Sequence, residues 1–572
     1  MKRHLSALLW LALGASGCQG NFGDLSKGGS GSMGGPGDAG GPGASCTDGT
    51  AAAPTLPPRI RRLTKLEIRN TVADLFGVTA ANLTSEIEAD PRPQGYSTGD
   101  ERSVNPAYME TQQHVARQIA ADFRKTFDKT KFAPSCFASD TSARGCADTF
   151  VRDFGKRAFR RVLTDVDANA LLNVYDAGRA TGTDGDVADR FAAGLQYTVT
   201  AAVQSPEFIF RSELGGDPDP STAIVRMTPT ELASAISYGI IASPPDEALM
   251  SAADASELAT PEQLGTQVRR LIDAQPDRFK AQVQRFLLDW LGIDFDNPVW
   301  AAKDKTLYPN FSSAMKDALR QETGMFIDDW TASGPFLPTL LTSSSTFVNQ
   351  ANAPIYGLTT VGTTFQKQAL DPKQRAGILT SPGFLGTYSH IDSSSPVFRA
   401  VAIMRRLLCR EPPPVPAMVP PLPPISKTDI KTTRQRFDQH TSVAFCHSCH
   451  SAFDPLGDVF ESYDAVGAYR TEENGIAIDS SGGIVGTVNS DAKFDNAVDM
   501  VKALAASPEV HECFARQVYR FSLGRIESSA DQCAIQNYAR VFTENSFDLR
   551  ELLVAVVSSP AFAVRSAAPV EP

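Results

Sequence analysis

Cys446-His447-Ser448-Cys449-His450 is C-x-x-C-H, two thiols three residues apart with an imidazole directly after the second. On a helix that spacing puts both thiols on one turn, where each can form a thioether with a vinyl carbon of one haem while His450 meets the iron. The spacing therefore reads as one covalent haem c with His450 as proximal ligand. Two other chemistries use the same residues: a zinc site with His440 or His447 as further ligands, and a redox-active dithiol. No thioredoxin-like strand and helix surround the motif to favour the dithiol. His440, six residues before Cys446, is the first choice for a distal haem ligand. His390, Met404, Met418 and Met500 are the alternatives, and an open or water-bound iron is the remaining one. H-E-x-x-H, G-x-S-x-G and phosphate-loop signatures are absent, and one haem motif is too few for a multi-haem wire or a two-haem peroxidase.

The start of the chain places this chemistry outside the cytoplasm. Met1-Lys2-Arg3-His4, the apolar run Leu5 to Leu13 and Ala15-Ser16-Gly17-Cys18 read as a signal peptide with a lipobox, so residues 1–17 are expected to be removed and Cys18 lipidated. The apolar run is too short to span a bilayer. An exported, periplasmic or cell-surface protein held to a membrane by lipid is the expectation. Export permits disulfides. The shortest loops pair Cys136 with Cys146 and Cys513 with Cys533, leaving Cys46 and Cys409 unassigned. A net charge of -11 over 572 residues gives no basic surface for nucleic acid.

The elements that must hold the motif are mostly helices. After a Gly-, Ser- and Pro-rich linker over 18–57, Thr64 and Glu67 form a capping box, Leu63 and Ile68 a hydrophobic staple, and Gly77 a stop. Ile68, Val72, Leu75 and Phe76 line one face. Thr228-Pro229-Thr230-Glu231 and Thr260-Pro261-Glu262-Gln263 repeat that opening. Phe191, Leu195, Val199 and Val203 keep helical spacing, as do Phe279, Val283 and Leu287. Val203 to Ser212 is echoed at Val557 to Ser566, and partly at Ile378 to Phe384, each copy with Ser as a cap and Pro as a first helical residue. Residues 412–424 are Pro-rich and expected to be extended. Ile476 to Asp479 and Gly483 to Gly486 are expected to pair as a small hairpin across Ser480 to Gly482.

Several segments resemble one family: large secreted proteins of unknown function, found mainly in planctomycetes and myxobacteria, whose domains are named as unknown-function or cytochrome-associated. Arg62-Leu63-Thr64 to Phe76-Gly77 looks like the family's opening helix, and Arg157-Ala158-Phe159-Arg160-Arg161 like its arginine-rich second module, closed by Ser205-Pro206 to Arg211. Leu232-Ala233 to Ser237-Tyr238, Pro245-Asp246-Glu247, Asp289-Trp290-Leu291 and Phe347-Val348-Asn349 to Tyr356-Gly357 resemble its central module. Arg375 to Leu379, Ser395 to Arg399, Asp454-Pro455-Leu456-Gly457 and Glu461 to Gly467 resemble its cytochrome-like module, and Phe521 to Arg525 its last one. Ala400 and Ser522 depart from the usual Gly and Ala. The expected fold is mostly α: a multi-helical, multidomain protein with a cytochrome-c-like module and a small β-hairpin near the C-terminal module. Its helical modules are expected over 58–130, 131–215, 222–360, 370–472 and 473–566.

Motif and resemblance together lead to an extracytoplasmic haem c lipoprotein that transfers one electron with a secreted redox or binding partner, or a substrate, docked on the helical modules. If it is an enzyme, it is an oxidoreductase. The alternatives are a surface binding or assembly lipoprotein with a structural haem, and a haem enzyme with an open sixth position.

Overall fold

The computed structural model describes residues 56–77, 86–92, 95–98, 104–217, 224–331, 335–359, 362–414 and 431–566. The signal segment, Cys18, Cys46, the linker up to residue 55, Met418 and most of the Pro-rich segment lie outside the described residues, as does the side chain of His440.

Helices begin where side chains can satisfy their first free N–H groups. Thr64 caps Lys65–Phe76 with Glu67 completing the box, and the helix stops at Gly77. Thr228 with Glu231 opens Pro229–Ile241, and Thr260 with Gln263 opens Pro261–Ala274. The fold is mostly α. Among the described residues the strands form five two-stranded antiparallel sheets.

Two apolar cores organise these helices. The first runs from Leu63 to Ile209, where Val115, Val151, Leu172, Phe191 and Val199 are buried between long helices. The second takes in helices from Pro229–Ile241 to the C-terminal end, including Trp290, Trp300, Phe384, Leu456, Phe514 and Leu552. The segments matched to the central, cytochrome-like and last modules therefore share one core. Tyr238, on the helix Pro229–Ile241, belongs to the first core, where its hydroxyl lies 2.9 Å from Thr71 Oγ1.

The repeated Ser-Pro segment has a structural counterpart. Ser205 opens Pro206–Ile209, which runs into the strand Phe210–Glu213. The later copy, Pro560–Ala563, runs into Val564–Ser566. The first strand pairs with Arg59–Arg62 and the second with Ile224–Arg226. Arg211 and Arg565, equivalent in the two copies, both reach Glu213, at 3.0 and 2.5 Å. Arg59 and Arg61 approach the same carboxylate at 2.6 and 3.5 Å. These four guanidinium groups hold the buried Glu213 carboxyl well below the usual carboxylate range, against the opposing effect of burial. The partial copy at Ser381 opens the helix Pro382–Thr387, which no strand follows.

Two expectations are corrected. Cys513 is bonded to Cys409, with Cα atoms 5.5 Å apart, and not to Cys533, which is itself disulfide-bonded. Sequence separation is a weak guide because loop-closure entropy grows only logarithmically, whereas packing decides which Cβ atoms meet. Cys136 and Cys146 are joined, with Cα atoms 5.7 Å apart. The expected hairpin is replaced by two smaller ones: Glu472–Glu473 pairs with Ile476–Ala477, and Gly482–Ile484 with Ala492–Phe494. Asn474 and Gly475 both have positive φ, 56° and 75°, which is the two-residue turn whose twist suits a hairpin. That turn takes Ile476 back onto Glu473 and leaves Gly482–Ile484 to a later partner.

Candidate functional site

The floor of the site is built on the fully buried Arg399, in the helix Pro396–Arg406. Its guanidinium donates to the carbonyls of Phe460 (2.8 Å), Tyr463 (2.9 Å) and Asp464 (2.9 Å), and Glu461 Oε1 lies 4.0 Å away. Burial lowers its pKa to about 10, so it remains charged at neutral pH. The short helix Asp454–Asp458 lies on Pro396–Arg406 so closely that a Cβ at Gly457 would collide with the Pro396 carbonyl. Arg375 locks the far side by donating to Thr380 O (2.6 Å) and Gly467 O (2.8 Å) while stacking over Tyr356 and Tyr463. The segments Ser395 to Arg399, Asp454 to Gly457 and Glu461 to Gly467 are thus one interlocked platform.

The motif sits above it. Thr432 and Gln435 cap the helix Thr433–Thr441, whose first turn is held by Glu473: Thr433 N donates to Oε2 (2.6 Å) and Thr433 Oγ1 to Oε1 (2.8 Å). The chain then breaks at Ser442 and Val443 before a new helix, Ala444–His450. Cys446 and Cys449 lie on this helix three residues apart, both half-buried and both free thiols. Val443 and Phe445 are 61% and 68% exposed, an apolar surface beside the thiols that nothing described covers. His450 closes the helix. Its Nδ1 lies 2.9 Å from Asp454 Oδ1 and its ring 4.8 Å from that of Phe453, so Nε2 is the nitrogen left without a described protein partner.

Chemically this is a pair of free thiols and an imidazole with one open nitrogen on a single short helix, beside exposed apolar side chains. Among the described residues no three His, Cys, Asp or Glu side chains converge to hold a metal ion, so His447, which is exposed, does not complete a zinc site with the two thiols. His440 is on the helix Thr433–Thr441, and where its imidazole goes lies outside the description. His390 is half-buried, its ring 4.9 Å from Phe398 and 6.4 Å from Phe437, and burial lowers its pKa. Met404 and Met500 are buried in the second core.

Sequence reasoning missed Lys303. It lies in the unremarkable run Ala301-Ala302-Lys303-Asp304-Lys305, yet it is buried and donates to Ser389 Oγ (2.5 Å), His390 O (2.9 Å) and Gly386 O (3.3 Å). It therefore holds the loop that carries His390. Burial first, and Arg399 next, bring its pKa down to about 7. Asp458, under the motif, is moved the other way: burial pushes it up to about 8, against Arg434. No sequence signal announces either group, because both depend on which distant segments close over them.

Fold and site define a helical protein whose free C-x-x-C-H turn rests on an arginine-braced platform. Five family models match it in tandem, each described as "Protein of unknown function": DUF1587 over residues 61–124, DUF1595 over 146–213, DUF1592 over 227–358, DUF1588 over 375–473 and DUF1585 over 490–562. The chain is a tandem of these five domains of unknown function. No curated protein and no solved structure matches it. The two disulfides between described cysteines fit an oxidising compartment outside the cytoplasm, and no described helix is long and apolar enough to cross a membrane.

Proposed function

We propose that the protein is an extracytoplasmic haem c protein that transfers single electrons to or from a secreted redox or binding partner docked on its helical modules. The observation that carries the reading is the turn itself: two free thiols three residues apart, followed by an imidazole whose Nε2 is left open. Cys446 and Cys449 would hold the group through thioethers and His450 Nε2 would ligate its iron. When bound, the haem supplies one-electron chemistry at that iron. Exposed Val443 and Phe445 suit the edge of an apolar macrocycle. The name of the family model over residues 375–473, PSCyt3, agrees with this reading.

The test is a pyridine-haemochrome spectrum of protein made with cytochrome c maturation machinery. The expected result is covalent haem in the wild type, a shifted α band in Cys449→Ser, and haem extractable by acid-acetone in Cys446→Ser/Cys449→Ser. Extractable haem in the wild type would refute it. The lipobox motivates a second part of the proposal, lipid on Cys18 after export. Unchanged processing and membrane association in Cys18→Ser would refute that part.

A further inference from the structure

The hydrogen bond on His450 deepens the proposed function. A histidine that binds a metal through one ring nitrogen needs the other fixed, and the acceptor chosen for that N–H sets both the tautomer and the basicity of the ligand. Here the acceptor is a carboxylate. Asp454 Oδ1 lies 2.9 Å from His450 Nδ1, just past the end of the motif helix, and the Phe453 ring flanks the imidazole at 4.8 Å. Both partners are about four-fifths buried, with 21% and 19% of their side-chain surfaces exposed. Arg434, on the helix Thr433–Thr441, is engaged with other carboxylates, 3.6 Å from Asp458 and 3.3 Å from Asp479. Among the described residues His450 is the side-chain partner of Asp454.

A charge-assisted hydrogen bond of this kind is roughly twice as strong as one to a neutral carbonyl. With Nδ1–H donating to a carboxylate, the ring draws toward imidazolate and gives more electron density through Nε2. That favours the state with the larger positive charge at the iron, the oxidised one. Two further carboxyls, Asp438 and Asp458, stand close enough to Asp454 for Asp458 to respond to both.

We propose that Asp454 is the positioning residue of this site, holding His450 with Nε2 presented and setting a low reduction potential. The inference rests on the proposed haem c. A protein tuned this way gives up its electron readily, and its own donor must be a strong reductant.

The test is spectroelectrochemistry on full-length protein carrying covalent haem. Asp454→Asn keeps the size of the side chain and removes the charge. Its reduction equilibrium is expected to move at least tenfold toward the reduced form, which for one electron is about 59 mV, with an unchanged haemochrome spectrum. Asp438→Asn, which removes a nearby charge without touching His450, is expected to shift it several-fold less. Asp454→Glu is expected to return the low potential, and serves where Asp454→Asn is poorly retained. Equal potentials in Asp454→Asn and wild type, or an equal shift in Asp438→Asn, would overturn the inference while leaving the haem assignment intact. Absence of covalent haem from the wild type would instead sink the proposed function, and this inference with it.

Discussion

Removing the Cys409–Cys513 bond should destabilise one core and spare the other. The bond closes 104 residues, against 10 for Cys136–Cys146. Chain-entropy reasoning gives about 4.7 kcal/mol for the long loop and about 2.7 kcal/mol for the short one. Alanine is the suitable replacement for both pairs, because Cys409 has φ 49° and alanine keeps that backbone strain, so the difference reports the crosslink. At Cys513, 2% exposed, alanine also avoids stranding a hydroxyl in an apolar site. The assay follows from the positions of the tryptophans. Trp290 and Trp300 lie in the second core and Trp330 packs against it, so their fluorescence in guanidinium follows that core. Cys409→Ala/Cys513→Ala should lower the stability of the fluorescence-detected transition by about 4 kcal/mol. Cys136→Ala/Cys146→Ala should leave it in place while the helical circular dichroism begins to fall earlier. A loss below about 1 kcal/mol in the first variant, or an equal fluorescence shift in the second, would refute the reasoning.

Three further outcomes are expected. Gly457→Ala should cost about 3 kcal/mol in thermal unfolding, since the neighbour that must give way is the Pro396 backbone and not a flexible side chain; an unchanged melting temperature would refute so close a contact. Glu213→Gln leaves four arginines around an amide and should cost about 3 to 5 kcal/mol, measured by denaturant unfolding followed by circular dichroism. Lys303 titrates near 7 when folded and near about 10.4 when unfolded, so the unfolded chain binds more protons between those values and stability should rise with pH across that window. Lys303→Met should flatten the rise relative to wild type, and parallel pH profiles for the two proteins would count against a depressed Lys303.

What could be read from the sequence was mostly what is settled within a few residues. The boxes at Thr64, Thr228 and Thr260 each need a cap and an acid or amide three positions on, and nothing distant disturbs them. The C-x-x-C-H turn is equally local. Asn474-Gly475 is equally local, a short hairpin turn that pairs Glu472–Glu473 with Ile476–Ala477 in place of the expected pairing across Ser480 to Gly482. Beyond that range the sequence offers little. Cys409, just past the end of the helix Pro396–Arg406, meets Cys513 on the helix Pro508–Leu523, and of the four arginines that converge on Glu213 the farthest lies 352 residues from it along the chain. Asp454 lay inside a segment singled out by resemblance, yet its bond to His450 depends on how the chain turns after the motif helix ends.

The Glu213 cluster also bears on the order in which the chain can be finished. Synthesis proceeds from the N-terminus, so Arg59, Arg61 and Arg211 can gather around the carboxylate long before Arg565 exists. The strand that delivers Arg565 is also the one that covers Ile224–Arg226. A chain truncated between Arg226 and Val564 would leave that edge bare, and bare edges invite both wrong pairing and protease attack. Closure of the cluster therefore requires segments from both ends of the described fold, and a chain that lacks the later one is left with an open strand edge.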